Sequence, residues 1–123
     1  MSALLLVTAL AESLVGLALL IAPSLVASVL LGVPLETSAG TVLARIAGAA
    51  LVALGLVCWF AREDPNRVAV RGLVKTLIFY NVASLAILLH AHFGLTLSGI
   101  GFWPAVAFHS VLAGWCLRLL SRA

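Results

Sequence analysis

Charge is what this sequence has least of. Only 9% of its 123 residues are Asp, Glu, Lys or Arg, whereas 64% are hydrophobic, and the mean hydropathy is +1.27. A soluble domain typically has about 25% charged and about 45–50% apolar residues. Because so few charges cannot cover so much apolar surface in water, the composition excludes an ordinary soluble domain and indicates a protein whose solvent is lipid.

Cysteines and sequence motifs are also scarce. The two cysteines, Cys58 and Cys116, lie inside apolar segments, and the chain has neither a CxxC pair nor a Cys/His cluster. It also lacks a nucleophile elbow, a phosphate-binding loop and a metal motif. We therefore predict no metal site and no bound cofactor, and we interpret both thiols as small buried hydrophobes.

Four apolar segments are long enough to cross a bilayer, which takes about 20 helical residues. They cover about residues 3–22, 41–61, 72–92 and 102–120. The first has no basic residues before it and contains Glu12, so we interpret it as a retained helix rather than a signal peptide. We predict one four-span transmembrane domain, residues 1–123, folded as an all-α integral membrane four-helix bundle.

A short helix is predicted after the first span. Ser24 can cap it, and it continues to Leu31, where Gly32 and Pro34 end it. Eight residues are too few to span a bilayer, so we expect this helix to lie at the membrane interface.

The basic residues predict the orientation and exclude a nucleic-acid partner. They bracket apolar segments, which makes them topology signals rather than a nucleic-acid surface. The connector between spans two and three and the C-terminus are rich in them, whereas the other two connectors contain none. The positive-inside rule then predicts a multi-pass protein of the bacterial inner membrane with both termini in the cytoplasm.

Each predicted span carries one conspicuous polar side chain. Counted from the cytoplasmic ends at 1.5 Å per residue, Glu12 and Asn81 lie at a depth of roughly 14–15 Å, His109 at about 18 Å and Arg45 at about 24 Å. Long side chains can bridge most of that difference, so we expect one central cluster. Ionisable groups inside a membrane are candidates for a functional site by default.

The same residues admit a structural interpretation. Glu12 and Arg45 can form an internal ion pair that fixes the helix register, with Asn81 and His109 as hydrogen-bonding contacts between helices. We keep both interpretations. The candidate catalytic residues are Glu12, Asn81 and His109, and the candidate ligand-binding residues are Arg45, Tyr80, Ser84 and His92.

The histidines raise the alternative of a haem or metal site. A haem needs two imidazoles that face each other at similar depth. His90 is closer in depth to His109 than His92 is, but it lies on the opposite side of its helix from Asn81. Histidines that bond water or headgroups at the interface are the simpler interpretation.

Two resemblances to known families can be traced in the sequence. The stretch LAES, with Glu12, is similar to the first helix of the small multidrug resistance transporters, which implies a membrane-embedded carboxylate. The glycine-rich and aromatic motifs of that family are not found later in the chain. Over most of its length the chain resembles small four-helix membrane proteins of the DoxX-like kind, in IAPSL, RIAG, LGLVCWFAR and a histidine in the last helix. That resemblance implies the fold and no single activity.

Several functions are compatible with these features. The first hypothesis is an accessory subunit of a larger membrane complex, or a binder of a lipophilic small molecule in a polar intramembrane site. The second is a proton-coupled carrier that uses Glu12. The third is an enzyme that acts on a lipid or isoprenoid-like substrate, with Glu12 and His109 as acid and base. The expected partners are membrane lipid, a lipophilic small molecule and further copies or subunits.

Overall fold

The computed structural model describes residues 1–122, and within them every regular element is a helix. Four helices are long and apolar enough to cross a membrane, and α2 is short. These findings confirm the predicted all-helical fold with four long helices. In chain order, the helices are α1 (Ser2–Ile21), α2 (Pro23–Leu31), α3 (Ser38–Ala61), α4 (Arg67–Leu95) and α5 (Phe102–Ser121).

The side chains are distributed as in a protein that is solvated by lipid. Large apolar groups cover the outside, and Leu14 and Phe79, for example, are 68% and 74% exposed. The buried polar or charged side chains are Thr8, Glu12 and Asn81. Water would penalise so many exposed apolar groups, whereas a bilayer would not.

The short helix begins one residue earlier than predicted. Pro23 occupies the start of α2, where its missing N–H has no cost, so Ser24 lies inside the helix rather than at its cap. The Ser24 hydroxyl instead accepts a hydrogen bond of 3.1 Å from the backbone N–H of Leu35. Gly32 ends α2 with a φ of 77°, a conformation that glycine adopts at little cost.

Two long helices extend beyond their apolar segments. The Thr37 hydroxyl caps α3 by accepting a bond of 3.0 Å from the N–H of Gly40. Asn66 caps α4 in the same way, through a bond of 3.2 Å from the N–H of Ala69. Residues 67–71, which we assigned to a connector, are therefore helical. Lipid thickness limits the apolar segment, but a capped helix can continue into water.

The long helices associate as two pairs, α1 with α3 and α4 with α5. Glycines allow the first pair to approach closely. A Cβ atom on Gly48 would lie 2.7 Å from the carbonyl oxygen of Gly16, and one on Gly16 would lie 2.6 Å from that of Gly48. Small residues on α3 thus form this interface, with Gly48 and Gly55 buried and Ala44 half-buried.

The two pairs are joined by an apolar core and by backbone bonds. At the opposite end from the core, the N–H groups of Gly99 and Gly101 donate to the carbonyls of Leu30 and Val29, over 3.0 and 2.8 Å. These bonds satisfy carbonyls that the end of α2 leaves free. The core lies toward the end of the bundle that contains both termini, and consists of Leu4, Leu5, Ala9, Cys58, Val70, Val74, Leu77, Leu112 and Cys116.

Candidate functional site

The carboxylate of Glu12 is buried inside the bundle. The residue is 3% exposed and lies on the face of α1 that also carries Thr8 and Gly16, both buried, because the three residues are spaced four apart. Within residues 1–122 its hydrogen-bond partner is the hydroxyl of Tyr80 on α4, which donates to Oε2 over 2.9 Å. This bond connects the α1/α3 pair to the α4/α5 pair.

Asn81 fixes the imidazole of His109. The Asn81 amide nitrogen donates 2.8 Å to the carbonyl of Leu77, one turn earlier in α4. A carbonyl can only accept, so the Asn81 oxygen must face His109, whose Nδ1 lies 2.8 Å away. In the neutral ring, Nδ1 therefore carries the proton and Nε2 is left as an acceptor.

Tyr80 also contacts the imidazole. The rings of Tyr80 and His109 meet edge to face, with their centroids 5.7 Å apart. Glu12, Tyr80, Asn81 and His109 thus form one continuous polar cluster across α1, α4 and α5, which we call the central cluster. Glu12 and Asn81 are buried, whereas Tyr80 and His109 are half-buried, so the cluster has one partly exposed side.

Arg45 does not belong to the central cluster, contrary to our expectation. Its side chain is exposed, and the ion pair found within residues 1–122 joins Arg62 to Glu63. The close packing of α1 and α3 explains this. Gly48 lies opposite Gly16, so Arg45 is level with the C-terminal end of α1, two turns beyond Glu12. The predicted Glu12–Arg45 ion pair is therefore wrong.

The other candidate binding residues lie apart from the central cluster or at its margin. Ser84 is half-buried one turn beyond Tyr80 on α4. His92 lies about three turns beyond Asn81, which is about 16 Å along the helix. Its ring packs between Phe93, Phe102 and Trp103, at centroid distances of 4.8, 5.2 and 5.3 Å.

The structure does not bring the histidines together in pairs. His90 is exposed on α4, His92 lies in its aromatic surroundings, and His109 is bonded to Asn81. Within residues 1–122 no three side chains of the types His, Cys, Asp and Glu converge as metal ligands would. The described geometry therefore does not favour the haem or metal alternative.

Thr8 is the residue that sequence reasoning passed over as a site residue. It is 1% exposed, one turn before Glu12 on the same face, and its hydroxyl oxygen has no hydrogen-bond partner within residues 1–122. Its position four residues before Glu12, on the same helix face, was the available signal. The sequence also contained a sign of the hydrogen bond between Tyr80 and Glu12. Tyrosines in membrane spans concentrate at the interfaces, whereas Tyr80 lies near the middle of its span.

The central cluster, together with the neighbouring Thr8, has groups that could bind a ligand by hydrogen bonds and groups that could transfer a proton. Glu12 and Thr8 offer hydrogen-bonding capacity that the described side chains do not fully use. Glu12 and His109 are two groups that can exchange protons, and Tyr80 contacts both of them.

Comparison of the chain with models of protein families, with curated proteins and with solved structures gave no match.

Proposed function

We propose that this chain is a multi-pass membrane protein that binds a lipophilic small molecule at the central cluster. The observation that supports the proposal is the buried carboxylate of Glu12, whose partner is a neutral hydroxyl rather than a cation. A carboxylate that serves only structure inside a membrane is expected to have a cationic partner. The accessory-subunit hypothesis needs only packing surfaces and does not account for this carboxylate.

The free hydrogen-bonding capacity defines the chemistry of the ligand. A carboxylate oxygen and the Thr8 hydroxyl on one helix face suit a group that is cationic or donates hydrogen bonds. The exposed apolar side chains of the neighbouring helices, such as Phe79, suit a lipophilic remainder. The half-buried side of the cluster, at Tyr80 and His109, is the proposed point of entry from the lipid.

We further propose the inner membrane of a bacterium as the location, with both termini in the cytoplasm. The basic side chains support this orientation because most of them lie at one end of the helices. The resemblance to DoxX-like proteins implies the same architecture and no activity, so the proposed function rests on the central cluster alone.

Binding of a probe cation tests the proposal. The full chain in detergent is dialysed to equilibrium against labelled tetraphenylphosphonium, with tetraphenylborate as the anion of the same shape. We expect saturable binding of the cation and a loss of about tenfold or more in Glu12→Gln, because the variant removes the charge that attracts the cation, and a tenfold change corresponds to about 1.4 kcal/mol. Glu36→Gln, which removes an exposed carboxylate, is the matched control and should bind like the parent. Equal binding by Glu12→Gln and the parent would refute the proposal.

The unpaired carboxylate also favours a second candidate, a proton-coupled carrier. A carrier exchanges a proton and a cation at one carboxyl group, so binding should release a proton from Glu12. A pH-sensitive dye in weak buffer measures that release when tetraphenylphosphonium is added. Proton release by the parent and by Glu36→Gln, but not by Glu12→Gln, would favour the carrier. Binding of the cation without proton release would favour a binding protein that does not exchange protons.

A further inference from the structure

An open cleft of about 620 Å³ lies at one end of the bundle. It is bounded by the starts of α1 and α4 and by the ends of α3 and α5, together with the connector between α3 and α4. Four of its lining residues are arginines and one is an aspartate: Arg62, Arg67, Arg71, Arg122 and Asp64. Apolar side chains complete the lining, among them Ala61, Val70 and Leu119.

Two of these basic and acidic groups already have partners. The Arg62 guanidinium lies 3.5 Å from the ring centre of Trp59, donates 2.9 Å to the Trp59 carbonyl and pairs with Glu63 over 3.3 Å. The carboxylate of Asp64 accepts 2.7 Å from the backbone N–H of Asn66. Asp64 therefore bonds its own connector rather than neutralising an arginine.

Arg67 and Arg71 are different, because no acid holds them. They lie four residues apart on α4, which places them on one face of the helix. Within residues 1–122 neither forms an ion pair. Two guanidinium groups with ten N–H donors between them thus line the cleft, and neither lies within ion-pair distance of the Asp64 carboxylate.

We propose that this cleft binds the phosphate group of an anionic phospholipid, with Arg67 and Arg71 as the principal donors. Guanidinium groups match phosphate oxygens with two parallel hydrogen bonds, and they tolerate partial burial better than lysine does. The cytoplasmic leaflet, toward which the proposed orientation turns this end, is the one rich in anionic lipids.

The apolar part of the lining selects a lipid over a free phosphate ion. Ala61, Val70 and Leu119 offer surface that an acyl chain or glycerol backbone can cover, whereas an inorganic ion gains nothing from it. Trp59, on the last turn of α3, is an interfacial anchor of the type found at headgroup level. The cleft is separate from the central cluster, since Ser2 and Glu12 are about 15 Å apart along α1.

Lipid retention by charge-matched variants tests the proposal. The full chain in neutral detergent is mixed with phosphatidylglycerol or phosphatidylcholine, and native mass spectrometry counts the bound lipids. One variant, Arg67→Gln/Arg71→Gln, removes two charges from the cleft. The control, Lys75→Gln/Arg118→Gln, removes two exposed charges that do not line it. We expect the cleft variant to bind phosphatidylglycerol about tenfold or more weakly than the parent, and the control to stay within about twofold.

The other outcomes overturn the proposal. An equal loss of phosphatidylglycerol binding in both double variants would show general attraction to a basic surface. Equal binding of phosphatidylglycerol and phosphatidylcholine by the parent would show that the cleft does not require an anionic lipid. If inorganic phosphate binds the parent as tightly as phosphatidylglycerol does, the apolar lining contributes nothing and the cleft recognises free phosphate instead. Arg67→Gln alone, at an exposed position on the first turn of α4, applies the same test should the double variant unfold.

Discussion

The hydroxyl of Tyr80 and the carboxylate of Glu12 are joined by a hydrogen bond of 2.9 Å that crosses from α4 to α1. It links two helix pairs that otherwise meet mainly through apolar side chains and through α2. A tyrosine hydroxyl therefore holds the place that the sequence had suggested for a guanidinium.

Removing that hydroxyl should weaken the bundle. Interhelical hydrogen bonds in membranes contribute about 0.6–2 kcal/mol, so Tyr80→Phe should lower the free energy of unfolding in detergent by that amount. Ser110→Ala is the control, because the Ser110 hydroxyl bonds only a carbonyl of its own helix, that of Val106. In a double-mutant cycle with Glu12→Leu, which removes the acceptor, the two losses should be less than additive; strict additivity would mean that the bond contributes nothing.

Arg45 should be nearly neutral for stability. Its side chain is exposed and far along α3 from Glu12, so Arg45→Gln should change the free energy of unfolding by less than about 0.5 kcal/mol. Combined with Glu12→Gln, it should give additive effects. If the double variant recovered stability, that result would show that Glu12 and Arg45 do form an ion pair, contrary to the structure.

The contact between Gly16 and Gly48 should tolerate no side chain. A Cβ on Gly48 would lie 2.7 Å from a carbonyl oxygen and 2.9 Å from the Cβ of Leu19, so Gly48→Ala should destabilise the protein by about 1–3 kcal/mol. Gly114→Ala is the matched control on α5, where nothing lies within 4 Å of the added atom. There the change should be neutral or stabilising by up to about 1 kcal/mol, because alanine favours a helix. Chemical denaturation of both variants measures the change in the free energy of unfolding. Equal changes in the two variants would contradict the described interface.

The orientation can be tested by labelling from one side. Asp64→Cys and Ser98→Cys place a thiol in an exposed connector on each side, while the native Cys58 and Cys116 are fully buried. A membrane-impermeant maleimide added to intact cells should label the Ser98 variant and reach the Asp64 variant only after lysis. The parent chain measures the background from the two native thiols. The reverse pattern would invert the topology, and labelling of both variants in intact cells would indicate dual orientation.

The tautomer of His109 provides a spectroscopic test of the central cluster. Asn81 requires the Nδ1 proton in the neutral ring, so ¹⁵N chemical shifts of His109 should show the Nδ1–H form. Asn81→Leu removes the acceptor and should allow the Nε2–H form to appear. His90, exposed and outside the cluster, is the internal control and should be unchanged in that variant. An Nε2–H form already dominant in the parent would refute the described bond.

The sequence predicts the helices better than it predicts their contacts. Apolar length locates each long helix, and the error at Arg67 arose because lipid limits only the apolar part of α4. Helical spacing also identified the buried face of Thr8 and Glu12. It could not reveal the axial offset of α1 against α3, which depends on where two glycines meet. The estimated depth of Arg45 was therefore compatible with the central cluster, and only the three-dimensional packing excludes Arg45 from it.

The backbone bonds from Gly99 and Gly101 to the end of α2 have a mechanical consequence. Because α2 contacts α1, α3 and α5, they tie both helix pairs together at that end without depending on side-chain identity. The opposite end is interrupted by the arginine-lined cleft. The apolar core lies next to that cleft, so the two pairs are held together on both sides of the Tyr80–Glu12 bond, by backbone bonds at Gly99 and by buried side chains such as Val74. The polar contact in the middle of the bundle can therefore break or re-form without the two pairs coming apart.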